Sequence, residues 1–426
     1  YQQYNTYFHY GVSDSMLISH FVYPESFNSA KQFLDETDNM IAVFSEKFGL
    51  YPFINEKYGH AEIEGGTSME HQTCSSMGWF GTSVVSHELA HQWFGDKITC
   101  KDWHHIWLNE GFATYLESIY LEAKSGISAY NSQIQSEMNQ AKNANGSIWV
   151  QNISSVGQIF NGSRSYAKGA CVLHMLRGVV GDSTFFNIMR TYSDHPSVAY
   201  GVATTEDFQS VAEDVSNIDL DYFFQEWIYG ENYPKYSINW SRNELGGNIF
   251  QVNLNIVQNT NSNPNYFTMP IKIKINTSAG DTVVTLFNNA QNQNFQLNVT
   301  GNPTSINFDY GNWILKDVLN ISTGVENTFS PDKFSLMQNY PNPFNPKTTI
   351  SYQVASKSHV TLKIYNILGN EVATLVNEVQ SAGEYKVDFN AETLSSGVYF
   401  YKLTASNPES GSEQVFSETR KLILMK

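Results

Sequence analysis

The sequence predicts a multidomain α+β protein in which a small β lobe and a helical lobe are followed by two all-β sandwich modules. Three observations carry that expectation. At 426 residues the chain is too long for one ordinary core, so roughly two to four domains are expected. From residue 166 to 229, apolar residues recur at helical spacing. From residue 234 onward they alternate between turn residues, as in half-buried strands.

Residues 1–24 hold strand-like runs, with Met16, Leu17, Ile18, Phe21 and Val22 among them, and stop at Pro24. They read as the remnant of an N-terminal β-domain. The chain opens on Tyr1 rather than Met, as the C-terminal part of a longer precursor would. A domain over 25–233 follows. Its first helix places Phe33, Leu34, Met40, Ile41, Phe44 and Phe48 at helical spacing and ends at Gly49. A strand at 58–64 and the pair Gly65-Gly66 come next. Two helices then carry His87 and Glu110, the second with Phe112, Tyr115, Leu116 and Ile119 on its core face. Helices at 168–180, 183–192, 205–215 and 219–229 complete the lobe, and Gly230 stops the last. Residues 234–320 read as a β-sandwich, from alternation at 236–240, 250–256, 271–275, 282–287 and 295–299. A polar linker containing Pro331 spans 321–333. Residues 334–426 form a second β module, with strands at 349–354, 360–365, 372–375, 385–389, 398–403 and 421–425.

A net charge of −16 argues against nucleic acid or an anionic membrane as partner, because neither attracts an acidic surface. No run approaches the roughly 18 apolar residues needed to span a bilayer. Three cysteines neither build a disulfide framework nor form a metal cluster. Cys171 lies in an apolar helical stretch as a buried thiol. Cys74 and Cys100 flank the histidine segment and either pair, if the protein is secreted, or stay free.

The chemistry lies between them. His87-Glu88-Leu89-Ala90-His91 sets two imidazoles four residues apart on one helix face, where both can hold one metal ion. Glu88, between them, can take a proton from water in the same cleft. A catalytic zinc takes three protein ligands and keeps a fourth position open. Eighteen residues separate His91 from Glu110, enough to cross a loop and begin a facing helix that supplies the third ligand. Thr114 and Glu117 follow Glu110 on its face, either bracing the ligands or lying as ordinary helix-face residues. Ser165-Tyr166-Ala167-Lys168-Gly169 starts a helix with a phenol that can donate to an oxyanion while staying protonated at neutral pH. Upstream, Thr67-Ser68-Met69-Glu70-His71 puts a carboxylate beside the metal helix, where it can bind an α-ammonium, and a strand edge there can pair with a peptide backbone.

Together these residues resemble the aminopeptidase N family of gluzincin zinc metallopeptidases. The matching pieces are the His87-to-Glu110 set, the stretch Trp107-Leu108-Asn109-Glu110-Gly111-Phe112-Ala113, and Tyr166-x-Lys168-Gly169. A variant of the family's G-x-M-E-N signature stands at 67–71. The resemblance covers roughly residues 1–320. It implies a thermolysin-like catalytic domain followed by a β-sandwich, one bound Zn2+, Glu88 as base, Tyr166 on the oxyanion and Glu70 on the amine of peptide substrates. His71 stands where the family usually has Asn, and Thr67 where it usually has Gly. The N-terminal β-domain that supplies a second acidic anchor is largely missing.

The tail resembles the C-terminal sorting domain of proteins exported by the type IX secretion system. The residues that carry this are Asn339-Tyr340-Pro341-Asn342-Pro343-Phe344-Asn345-Pro346, Ile364-Tyr365-Asn366-Ile367-Leu368-Gly369, and the basic end from Arg420 to Lys426. That implies export to the surface or medium of a Gram-negative, Bacteroidetes-like bacterium, with the type IX machinery as partner. The sequence therefore supports a secreted zinc aminopeptidase first. A zinc endopeptidase or other gluzincin hydrolase comes second, and a surface binding protein without activity third.

Overall fold

The computed structural model describes residues 1–323, 333–406 and 414–425. Of the linker expected at 321–333, residues 324–332 lie outside the described residues, as does Lys426. The chain divides into two compact units, Tyr1–Thr323 and Gly324–Lys426.

The first unit begins with strands β1 (Gln2–Tyr10) and β2 (Asp14–Val22), helices α1 (Phe27–Leu34) and α2 (Thr37–Phe48), and strands β3 (Lys57–Glu62) and β4 (Ser75–Met77). The four strands make one sheet in the order β1-β2-β3-β4, antiparallel at β1-β2 and parallel thereafter. This sheet crosses the boundary expected at residue 24. A strand left beside the lobe would expose an unpaired row of backbone groups; instead β2 runs parallel to β3, and Ile18 is fully buried. The single helix expected before Gly49 is two. Asp35 caps the first while its side chain binds Lys31 and Tyr4, and α2 starts anew at Thr37.

Then come α3 (Thr82–Ala90), β5 (Ile98–Cys100), α4 (Trp107–Ser125), α5 (Ile127–Ala141), α6 (Val156–Ile159), a π-helical turn at Gly162–Lys168, α7 (Gly169–Val180), α8 (Asp182–Ser193), β6 (Gly201–Ala203), α9 (Thr205–Ser216) and α10 (Asp221–Phe224). Helix α5 fills a stretch in which sequence patterning predicts no element. The short β5 pairs in parallel with β6. Helix α4 is buried continuously from Trp107 to Leu116, so it is the central rod around which α3, α5 and α7 pack.

From Lys235 to Thr323 the regular elements are all strands. β7 (Lys235–Gly246), β8 (Ile249–Asn259), β9 (Met269–Thr277), β10 (Gly280–Asn288), β11 (Asn292–Thr300), β12 (Pro303–Phe308) and β13 (Asp317–Thr323) form sheets ordered β10-β9-β12 and β11-β8-β7-β13. One apolar core runs from Phe8 to Leu315, so strands and helices of this unit share a single interior. Trp313 stacks on His174 of α7 at 4.9 Å, and Trp227 packs on Phe267 at 4.2 Å.

The second unit has its own core around Leu336, Ile350, Tyr352, Leu362 and Tyr401. Its strands are β14 (Ser335–Leu336), β15 (Lys347–Val354), β16 (Ser358–Tyr365), β17 (Glu371–Gln380), β18 (Gly383–Asn390), β19 (Gly397–Ser406) and β20 (Gln414–Leu424), in sheets β14-β15-β18 and β17-β16-β19-β20. The proline-rich string is part of this structure. Asn339 is buried and its backbone N–H donates to the Tyr401 hydroxyl at 2.9 Å, while Phe344 bridges to Leu424.

Candidate metal centre

Helix α3 presents His87 and Glu88 because Val84, Val85, Leu89 and Ala90 claim its other positions for the core. The helix gives out at His91, and the chain reverses at Gly95, whose φ is +151°. A Cβ there would stand 2.9 Å from His91 Nδ1, so glycine allows the close return. The reversal brings the Phe94 carbonyl to His91 Nδ1 at 3.1 Å. Glu110 sits in the first turn of α4, where a carboxylate also suits the helix dipole.

These elements converge three donor atoms. His87 Nε2 and His91 Nε2 are 3.2 Å apart, and each lies 3.4 Å from Glu110 Oε2. Ligands about 2.0–2.1 Å from a tetrahedral zinc stand about 3.3–3.4 Å from one another, so this triangle fits zinc without rearrangement. The outer nitrogens are also fixed. His87 Nδ1 is 2.9 Å from Glu117 Oε1, and both Nδ1 atoms face acceptors that demand N–H. Each Nε2 lone pair is thereby turned inward. Glu117, left open between two roles by the sequence, braces His87. Thr114 does not brace a ligand; its hydroxyl is buried without a hydrogen-bond partner among the described residues.

Electrostatics agree with the geometry. Burial opposes ionisation of Glu110, but His91 and His87 outweigh it and hold the carboxyl at about 2. Burial likewise opposes charge on His91, and the Glu110 carboxylate overrides it, raising the imidazole to about 9. The cluster draws positive charge into a dry place, which a dication supplies in exchange for protons. Glu88 is buried beside them, and that burial pushes it up to about 7 against the pull of His87 and His91.

Tyr166 occupies the π-helical turn, its ring stacked on His87 at 6.0 Å and 11°. Burial, then the Glu110 carboxylate, drive its phenol well above the ordinary tyrosine range, so it stays protonated. The turn reaches the centre because Gly111 and Gly169 meet; a Cβ on Gly111 would come 2.9 Å from the Gly169 Cα. Glu70 is half-buried on the segment before β4, and its charge acts on Glu88, His91 and Asp96 alike. Met69 exchanges backbone hydrogen bonds with Ser76 at 2.9 and 2.8 Å. His71 is exposed, with Nδ1 2.9 Å from the Ser76 hydroxyl.

Sequence reasoning missed Gln92 and Asp96. Gln92 is buried beside His91 and donates to Asp96 Oδ2 at 2.7 Å. Cys74, Cys100 and Cys171 are free thiols. A second acidic trio, Glu213, Asp219 and Asp221, is largely exposed and has no imidazole.

Residues 70–227 match the peptidase family M1 domain, and residues 338–417 match the secretion system C-terminal sorting domain. The chain is 32% identical over 174 residues to aminopeptidase M1-C of Oryza sativa subsp. japonica, covering 38% of this chain and 19% of that one. It is 31% identical over 160 residues to aminopeptidase N of Lactobacillus helveticus, covering 36% and 19%. The chain thus spans about a fifth of the length of the curated relatives it matches. Its fold is similar to the crystal structure of Legionella pneumophila aminopeptidase A in complex with aspartic acid. The TM-score is 0.60 at 19% identity, over 75% of this chain and 38% of that one.

Proposed function

We propose that this chain, which carries a peptidase family M1 domain at residues 70–227, is an exported zinc aminopeptidase. It removes N-terminal residues from peptides, with one zinc per chain held by His87, His91 and Glu110. The observation that carries the reading is the donor triangle, with edges of 3.2, 3.4 and 3.4 Å and both imidazoles fixed from behind.

When bound, zinc supplies a Lewis acid that polarises the scissile carbonyl and acidifies water. Glu88 takes the proton of the attacking water and returns it to the leaving amine. The Tyr166 hydroxyl donates to the oxyanion that forms on the substrate carbonyl. Glu70 pairs with the α-ammonium and so sets the cut one residue in, because a carboxylate in a partly dry cleft attracts an ammonium far more strongly than a neutral end.

In this reading residues 25–233 are a thermolysin-like catalytic domain to which 1–24 add two strands, and 234–320 are a β-sandwich. Residues 334–426 are a second sandwich that sorts the protein through the type IX system. The alternating burial of β9 and β15 supports the sandwich assignments. Among the described residues no helix is long and apolar enough to cross a membrane.

The test is a matched pair of peptides, one with a free N-terminus and one N-acetylated, given to the zinc-loaded protein. The free peptide should lose its first residue. The acetylated one should be cut poorly, since it leaves Glu70 desolvated without a partner. Equal cleavage of both at internal bonds would establish an endopeptidase instead. No cleavage at full zinc occupancy would establish a binding protein.

A further inference from the structure

We propose that Gln92 is a positioning residue for substrate selection: its side-chain amide clamps the segment carrying Glu70 onto the helix end that carries His91, and so sets how strongly the site prefers a free amino terminus. The proposal rests on the reading of Glu70 as the partner of the substrate ammonium.

An amide side chain offers two N–H donors and two acceptor lone pairs. In Gln92, which is fully buried, all four are used. Nε2 donates to the Glu70 carbonyl at 3.2 Å and to Asp96 Oδ2 at 2.7 Å. Oε1 accepts from the Thr73 N–H at 2.8 Å and the Tyr51 hydroxyl at 3.1 Å. Flipping the amide would set N–H against N–H at Thr73 and oxygen against oxygen at Glu70, so its orientation is fixed.

The Glu70 carbonyl immediately precedes, and the Thr73 N–H lies within, the turn closed by the Cys74 N–H on the His71 carbonyl at 3.0 Å. The Gln92 amide therefore straddles that turn as the peptide group of a neighbouring strand would. The turn needs such a clamp: Thr73 has φ +60°, a conformation that residues with a Cβ rarely adopt and that persists only where the surroundings hold it. Its other end is tied at Met69, through the paired backbone bonds to Ser76. Between these ties hangs Glu70. The approach from Glu64 to Thr67 is exposed but lies against the backbone of Gly78, whose N–H donates to the Ser68 hydroxyl at 3.1 Å; these contacts hold the chain before Met69 and not Glu70 itself. A binding group loses most of its effect when displaced by about an ångström, and Gln92 prevents that displacement relative to the metal ligands.

Gln92→Met fills the same volume and removes every hydrogen bond. In the zinc-loaded full chain it should keep the wild-type zinc content, measured by elemental analysis. Its kcat/KM for the free-amine peptide should fall about tenfold or more, chiefly through KM. Cleavage of the acetylated peptide should not change, so discrimination shrinks toward that of Glu70→Ala. In a Glu70→Ala background, Gln92→Met should not reduce discrimination further. If Gln92→Met yields no soluble protein, Gln92→Glu keeps the acceptor for Thr73 and Tyr51, loses the donor to Glu70, and is judged by the same ratio. An equal fall for both peptides, or intact discrimination where Glu70→Ala abolishes it, would overturn the proposal alone. Intact discrimination in Glu70→Ala would overturn the ammonium reading and this proposal with it.

Discussion

Two pairs of histidines face each other in the first unit, and only one of them has the makings of a metal site. His20 and His60 sit on neighbouring parallel strands, stacked at 5.1 Å with their Nδ1 atoms 3.0 Å apart. His87 and His91 approach as closely, at 3.2 Å between Nε2 atoms. The difference is the carboxylates. Glu110 and Glu117 contact the second pair directly. The carboxylate felt by His20, Asp35, is engaged by Tyr4 and Lys31. Burial therefore wins at the first pair, pushing His20 down to about 4 and holding His60 well below its ordinary value. At the second pair burial is overcome. Proximity of imidazoles makes a contact; the surrounding negative charge makes it a candidate cation site.

Four substitutions sharpen this comparison. The largest effect is expected of Glu88→Gln, which should keep zinc and lower kcat roughly 10²–10⁴-fold, because an amide cannot take the water's proton. Tyr166→Phe should also keep zinc, with KM nearly unchanged and kcat lower by roughly 10²–10³. Wild-type turnover in either variant removes that residue from the mechanism. Glu117→Gln leaves all three ligands in place but weakens the acceptor behind His87. Competition with a chelator should show zinc affinity lower by about 10–100-fold; unchanged affinity would make Glu117 a bystander.

The smallest effect belongs to the other pair. His20→Gln should leave zinc content and turnover untouched. Its signature is in stability against pH. A folded-state imidazole held near 4 stays neutral while the unfolded chain takes up protons below about 6.5. Stability is therefore complete above that pH and declines as pH falls from about 6.5 toward 4, by up to about 1.4 kcal/mol per unit for each such imidazole. Urea unfolding across that range should show a shallower slope for His20→Gln than for the wild-type chain. Equal slopes would mean that the pair does not carry the acid sensitivity.

The same contrast separates what local sequence pattern makes legible from what only the fold brings together. His87, Glu88 and His91 are legible because four-residue spacing on a helix is a local rule, and α4 supplies Glu110 within the same short stretch. His20 and His60 meet through the parallel register of β2 and β3, which no local pattern announces. The same pairing draws residues 2–22 into the sheet of the lobe, where alternation alone suggested a separate remnant. Gln92 is the extreme case. Its partners at Thr73, Glu70 and Tyr51 lie 19, 22 and 41 residues away, so its neighbour His91 could be named from the sequence and Gln92 could not. Helix α5 escaped because its exposed faces are polar and its apolar positions few, with Tyr130, Ile134 and Met138 marking only a thin buried stripe.

Elemental analysis of purified protein, with Glu110→Gln and His20→Gln beside the wild-type chain, tests whether His87, His91 and Glu110 hold the zinc. One zinc per chain is expected in the wild type and in His20→Gln, and a clear deficit in Glu110→Gln, where the ligand's charge is gone. Full zinc in Glu110→Gln, or loss of zinc in His20→Gln, would contradict that assignment.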